Sequence, residues 1–419
     1  MTDFSPDAAR ALPGPTWLVD RRVAAATAWA AAPIPDTAAE EWRYSPIGEL
    51  DLDRYAPPTG LGDAPMPRLD IEPAAMVRTV NGRLVAVDVD DELIAAGVHV
   101  GRLVDHPDGA DLFGAVASEA GDYFTALSDG FAPEPILVSV PRGVEVDRPI
   151  VVTHHAAGDG AATFPRLVVR VEENAGVEVL DHHTSDEDAE ILVCPVVELE
   201  LAPAGRLGYL NVQELGDQTW QIGSQLARVG RDATLTAATA AFGGSYARTR
   251  ADTRLVGQGA HGDLLALYFG DRRQNLDFRT YQDHVAPDTT SNLLYKGVVS
   301  GHSRSIYTGL IRVRPGARGT NAFQTNRNLK LGDAAWAESV PNLEIENNDV
   351  RCSHASTVGP VDEDQRFYLE SRGVPSADAE RLIVAGFLAE VIESMPVAAA
   401  SHKIRSAIAT KLARQAVAV

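Results

Sequence analysis

The sequence predicts a mainly β protein: a stacked parallel β-helix core, an N-terminal α/β region ahead of it and a helical region behind it. Three observations predict this. Between about residues 133 and 355 the chain is a succession of short β-favouring runs. Similar turns recur between those runs at a near-constant interval. After residue 360 the pattern switches to capped helices.

The first region, 1–132, is mixed and rich in Pro and Ala. Helical signals lie in DAARAL and VDRRVAAATAWAAA, and the EEWRYSPIGEL that follows reads as exposed. The core, 133–355, carries PILVSV, PIVVTH, RLVVRV, GVEVLDH, ILVCPVVELEL, TLTAATAAF, LLALYF and SIYTGLIRV. These near-continuous apolar runs suit strands covered on both faces. NAGVEV, PAGRLG, RDATLT, QGAHGD and PGARGT punctuate them. Their Gly or Ala at 176, 205, 233, 260 and 317 are separated by roughly 28 residues or twice that, a solenoid period. Because the repeats are degenerate, an antiparallel sandwich stays open at this point. Leu265 and Leu267 alternate along LLALYF and are expected to face the solenoid interior. Arg250, in a polar stretch, is expected to accept Lys or Gln.

The third region, 356–419, is helical. Asp362 is the expected N-cap of a helix with Gln365 three residues on, and Gly373 with Pro375 stops it. Ser376 is expected to cap a second helix running to Pro396. The last segment, SHKIRSAIATKLARQAVAV, spaces Ile404, Ile408 and Leu412 on one face and carries Lys403, Arg405, Lys411 and Arg414 with no acid. Two readings of that basic face stand side by side: a solvated face with charge suited to a helix C-terminus, or a docking surface for an acidic partner.

Composition narrows the function. An apolar fraction of 45% and a charged fraction of 23% are those of an ordinary globular chain. A net charge of −21 repels phosphate backbones, which excludes nucleic acid as a partner. MTDFSPDAAR has no apolar run to serve as a secretory signal, and no apolar run approaches a membrane span. Two cysteines cannot build a disulfide framework, which fits a reducing, cytoplasmic setting.

Most short motifs dissolve on inspection. GQGAHG at 257–262 matches G-x-G-x-x-G, but DLLALYF follows it as a strand where the fingerprint needs a helix, so it reads as a solenoid turn. There is no phosphate-binding G-x-x-x-x-G-K-[ST] and no G-x-S-x-G elbow. His154–His155 and His182–His183 are adjacent pairs whose members point to opposite faces of a strand; they read as surface or loop histidines. Cys194, in ILVCPVV, reads as a small core hydrophobe.

DVRCSHAST, 349–357, is different. Cys352 and His354 would share one strand face roughly 7 Å apart, between polar neighbours. A thiolate and an imidazole so placed bind a metal, activate a nucleophile or simply coincide. Two ligands leave a four-coordinate site half filled, so a metal here needs ligands from another chain or from far along this one.

The stretch from about 284 to 393 resembles the SufB/SufD family of iron–sulfur cluster assembly scaffolds. The resemblance rests on HVAPDTTSNLLYKGVVSGHSRSIYTGLIRV, TNRNLKL, PNLEIENNDVRCSHASTVG, QRFYLESRGV and AERLIVAGFLAEVIE, in family order, and EEWRYSPI resembles the family's entry segment. The chain is similar to the SufD type. RNLKL stands where the SufB type has a cysteine-containing CDSLL-like segment, and CSHAST where SufD chains carry CSHGAT. Ala355–Ser356 replace the more frequent Gly–Ala, a small change in how closely a partner backbone can approach. The resemblance implies a right-handed parallel β-helix and a non-enzymatic scaffold role. It implies pairing with a SufB-type subunit through the β-helix ends, and a SufC-type ATPase docked on the C-terminal helices. It also implies a transient iron–sulfur cluster shared with SufB, with His354 first and Cys352 second as ligands from this chain. For the isolated chain it admits a homodimer. Two other functions are weighed against it. A SufB-like subunit carrying the main cluster cysteine lacks its cysteine here, and a polysaccharide-acting β-helix enzyme lacks clustered carboxylates and a secretory signal.

Overall fold

The structure, a computed structural model, describes residues 3–60, 69–119 and 121–417. It is 42% strand and 25% helix, wound as a parallel β-solenoid of about 8 turns with helices at both ends. Each turn contributes one strand to each of two facing sheets. One sheet runs through Ala75–Val80, Ile150–Ala156, Gly176–Ser185, Arg206–Glu214, Thr234–Ala241, His261–Gly270, Thr290–Ser300 and Thr320–Leu331 to Val350–Pro360. The other runs from Ile136–Val140 through Trp220–Val229 and Asn275–His284 to Trp336–Ile345. Parallel pairing throughout this stack settles the choice against an antiparallel sandwich.

The recurrent turns are the winding device. Gly143, Asn174, Ala204, Asp232, Gly259, Asp288 and Gly319 all have positive φ. Each donates its N–H to a carbonyl in the next turn, as Ala204 to Arg231 (2.8 Å) and Asp288 to Arg318 (2.8 Å). A left-handed residue reverses the chain without closing a hairpin, and stacking the turns satisfies the backbone groups it frees. GQGAHG is one of these turns, and His261–Gly270 follows it as a strand.

The solenoid begins inside the first region. Arg83–Val89 folds back on Ala75–Val80 through Asn81–Gly82, both with positive φ, and Ala75–Val80 pairs in parallel with Ile150–Ala156. The N-terminal helices Pro6–Ala11 and Thr16–Ala31 pack with Tyr123–Phe131 in a cluster that includes Phe4, Trp29, Phe124, Phe131 and Cys194. EEWRYSPIGEL is exposed at most of its positions, as expected, but anchored at a few: Trp42 is buried under the Arg248 guanidinium, 3.9 Å from its ring centre, and Ile47 is buried too.

Side-chain alternation separates two cores. Along His261–Gly270, Leu264, Ala266 and Tyr268 join the interior cluster with Val138, Leu199 and Leu235. Leu265 and Leu267 do share one face and are buried, but it is the outer face, not the interior. They pack with Val384, Leu388, Ile404, Ile408 and Leu412 of the C-terminal helices. The apolar run is continuous because both of its faces are covered, so burial alone could not say which face looks inward.

Helix Glu363–Ser371 is capped by Asp362, whose carboxylate accepts from the N–H groups of Asp364 and Gln365, and Gly373 ends it with positive φ. Ser376 is the first residue of helix Ser376–Ser394 rather than its cap. Pro375 takes the cap position with no side-chain bond, its fixed φ being suited to helix entry. In the last helix, Ser401–Val417, Lys403 pairs with Glu214 (2.6 Å) and Lys411 with Asp271 (2.5 Å). The final two residues of its quoted segment lie outside the described residues. The basic face is therefore neither plainly solvated nor wholly free for a partner: it fastens the helix to the solenoid. No helix among the described residues is long and apolar enough to cross a membrane.

Candidate functional site at the terminal rung

The solenoid ends on an uncovered rung. One sheet stops at Val350–Pro360 and the other at Trp336–Ile345, each the last strand of its sheet among the described residues. Such an edge offers unpaired N–H and C=O groups to another chain. Val350–Pro360 pairs in parallel with Thr320–Leu331, placing Cys352 opposite Ala322, His354 opposite Gln324 and Val358 opposite Asn328. The column under His354 continues through Gln324, Leu293 and Leu264 to Ala237, all buried.

Cys352 and His354 are thus brought onto the inward-facing side of the last rung, as alternation along the strand requires. Cys352 is half-buried against Ile311, Val313, Ala317 and Ala322. Burial pushes its thiol up, opposed by a backbone hydrogen bond with Ala322, so it becomes a thiolate ligand only when a metal displaces the proton. His354 is exposed, and its side chain makes no hydrogen bond to a described residue. Cys194 cannot join them. It is fully buried in the N-terminal cluster, and burial pushes its thiol far up.

Beneath this rung the interior turns polar but stays neutral. Tyr268 O–H donates to Asn328 Oδ1 (2.8 Å), Asn328 Nδ2 to Asn326 Oδ1 (2.8 Å), and Asn326 Nδ2 to the Tyr268 oxygen (3.1 Å). His284 sits between Thr289 and Ser291, 2.8 Å from each hydroxyl, and burial lowers it to about 4. This bore is lined by amides and hydroxyls, with Gln324 Oε1 and Gln282 Oε1 left without a hydrogen-bond partner, and among the described residues it offers no carboxylate to an ion.

Elsewhere the structure corrects two expectations. Arg250 does not lie in a tolerant polar stretch. It is largely buried, bonded to Asp252 (2.8 Å) and 4.9 Å from the Tyr281 ring, in a groove of about 310 Å³ where acids alternate with arginines. Its strand face is covered from outside by the N-terminal segment, as the Tyr281 O–H bond to Glu41 shows (3.1 Å). The four paired histidines are not surface or loop residues. His154, His155, His182 and His183 all lie in strands and are buried. Members of each pair point apart, but His154 and His183 face each other across neighbouring rungs, stacked at 4.7 Å.

The description "SUF system FeS cluster assembly, SufBD core domain" matches residues 153–387, most of the solenoid and the start of the C-terminal helices. An iron–sulfur cluster assembly SufBD family protein of Mycobacterium bovis is 39% identical over 285 residues, covering 66% of this chain and 70% of its own. The iron–sulfur cluster assembly protein SufD of Escherichia coli is 27% identical over 378 residues, 86% of this chain and 85% of its own. SufD of Bacillus subtilis is 28% identical over 290 residues, 69% of this chain and 66% of its own. With a core-domain match that spans most of the solenoid and a 39% identical relative covered over 70% of its length, this chain belongs to the SufBD family of iron–sulfur cluster assembly proteins.

Proposed function

We propose that this chain is a non-enzymatic, cytoplasmic scaffold subunit of the SufD type, which pairs with a SufB-type subunit through the terminal rung. A nascent iron–sulfur cluster is its cargo at that junction. His354 supplies an imidazole ligand and Cys352 a secondary thiolate, while the partner supplies the rest. The observation that carries the reading is the coincidence of the open rung with the two ligand-type side chains on its inward face. A nitrogen ligand holds iron less firmly than a full thiolate set, which suits a cluster that is passed on. In the absence of SufB the same open edge lets two copies pair as a homodimer.

The C-terminal helices are the docking module for a SufC-type ATPase. Phe367, Tyr368 and Leu382 are exposed there, and helix Glu363–Ser371 buries none of its residues. An apolar helix face without an internal partner suits an external one. Removing 362–419 outright would strip the cover from Leu265 and Leu267, so Phe367→Ser with Leu382→Ser is the sharper probe of docking.

The test is anaerobic co-expression with SufB- and SufC-type partners, measuring iron, sulfide and visible absorption of the purified complex. His354→Ala should leave assembly intact and cut cluster content at least several-fold; Cys352→Ser should cut it less. An assembled His354→Ala complex with wild-type cluster content would reduce His354 to an interface residue.

A further inference from the structure

The interior is apolar or neutral along most of its length, with one exception near the N-terminal end. Asp181, His183 and His154 lie on the inward face of two adjacent rungs, 0%, 3% and 4% exposed. His183 Nε2 is 2.9 Å and His154 Nε2 3.4 Å from the same carboxylate oxygen, Asp181 Oδ1. None of these three atoms makes an aligned hydrogen bond to a described residue. Three buried polar atoms converge at ion-pair distance without an aligned hydrogen bond, and a native fold ordinarily offsets the desolvation cost of such groups.

We propose that His154, Asp181 and His183 bind a divalent first-row transition ion, of the zinc(II) or iron(II) kind, inside the β-helix. The proposal is independent of the terminal rung. Six strand steps separate the strand of His183 from that of His354, roughly 29 Å at the usual strand spacing.

The donor set fits. Two imidazoles and one carboxylate suit ions of intermediate softness, whereas magnesium and calcium favour all-oxygen shells. An ion with ligands at about 2.0–2.2 Å in tetrahedral array sets its donors roughly 3.3 Å apart. The three donors all lie within 4.8 Å of one another, so sub-ångström shifts close the shell. Three protein ligands leave a fourth position. Asn211, one rung on from Asp181 and in the same column, is half-buried.

The outer groups are arranged as a metal site requires. His154 Nδ1 is 2.6 Å from Thr79 Oγ1, whose own hydroxyl donates to the Thr153 carbonyl (3.4 Å). The His154 tautomer that donates its Nδ1–H to Thr79 leaves the Nε2 lone pair free for an ion. Tyr209 O–H donates to the other carboxylate oxygen, Asp181 Oδ2, at 2.6 Å. Such partners fix ligand orientation and basicity.

The test uses the full chain, produced in zinc-supplemented medium and purified with chelator present, with bound metal counted by elemental analysis. A cobalt-substituted sample supplies a visible spectrum. The expected result is about one ion per chain, with cobalt d–d bands and no thiolate charge-transfer band. Cys352→Ser/His354→Ala should keep the ion. His183→Gln and Asp181→Asn should lose it, and Tyr209→Phe, which preserves the packing, should weaken binding about tenfold. Wild-type chain that is metal-free under supply overturns the proposal whatever the variants do, and leaves the three groups sharing a proton. So does binding that survives in folded His183→Gln, or that vanishes in Cys352→Ser/His354→Ala, since the ion then sits elsewhere.

Discussion

Lys411→Met tests how the last helix is held to the solenoid. The Lys411 ammonium is buried at 5% exposure and donates to Asp271 Oδ1 and Gln274 Oε1, both at 2.5 Å. The Asp271 side chain is 5% exposed, and among the described residues it also forms an ion pair with Arg414 at 3.7 Å. Met keeps the stem's volume but leaves the carboxylate buried beside that one weaker partner. Breaking a buried pair from one side costs about 3–5 kcal/mol. Arg414 remains, so about 3 kcal/mol is expected at pH 7. The double variant Lys411→Met/Asp271→Asn removes both charges and should return to within about 1 kcal/mol of wild type. Burial depresses Lys411 from 10.5 to about 8. Between those values the unfolded chain holds a proton that the folded chain has released, so wild-type stability rises with pH and is lost again as pH falls through about 8. The single variant lacks this slope, so its stability relative to wild type should change with pH across that window. Urea unfolding followed by circular dichroism measures both effects, with limited proteolysis reporting release of the C-terminal helix. A single-variant cost below about 1 kcal/mol, or a double variant worse than either single one, would refute the reasoning.

Two further outcomes follow from burial. His284 is lowered from 6.5 to about 4, so its contribution is present above pH 6.5 and lost as pH falls through 4. That acid loss should be about 3 kcal/mol and shrink in His284→Gln, read as the difference in melting temperature between neutral and acid buffer. Leu267→Ala should cost about 2–5 kcal/mol and expose the C-terminal helices to protease, whereas Leu264→Ala should cost as much without freeing them. Equal protease sensitivity of the two variants would mean that the two cores are not separate.

The β-helix was legible in the sequence because its period is local chemistry. Each turn needs a residue that tolerates positive φ, and the marks at 176, 205, 233 and 260 fall within two residues of the left-handed positions Asn174, Ala204, Asp232 and Gly259. The Asp362 cap and the Ile404–Ile408–Leu412 stripe were legible for the same reason, being set by neighbours within one or two turns. The Cys352–His354 pairing on one face needed only strand alternation. Which face of a doubly covered strand looks inward was not legible, and Leu265 and Leu267 show why: apolar composition is the same on both faces, and only the docked helices distinguish them. Nor was it legible that Arg250 packs against Tyr281, which Glu41 of the N-terminal segment holds from outside, or that the basic last helix spends its lysines on Glu214 and Asp271. The buried histidines fall between these cases. His154 and His183 stand 29 residues apart, one solenoid period, so the sequence held the spacing that stacks them. Their closure around Asp181 depends on strand register, which long-range pairing fixes and local sequence does not.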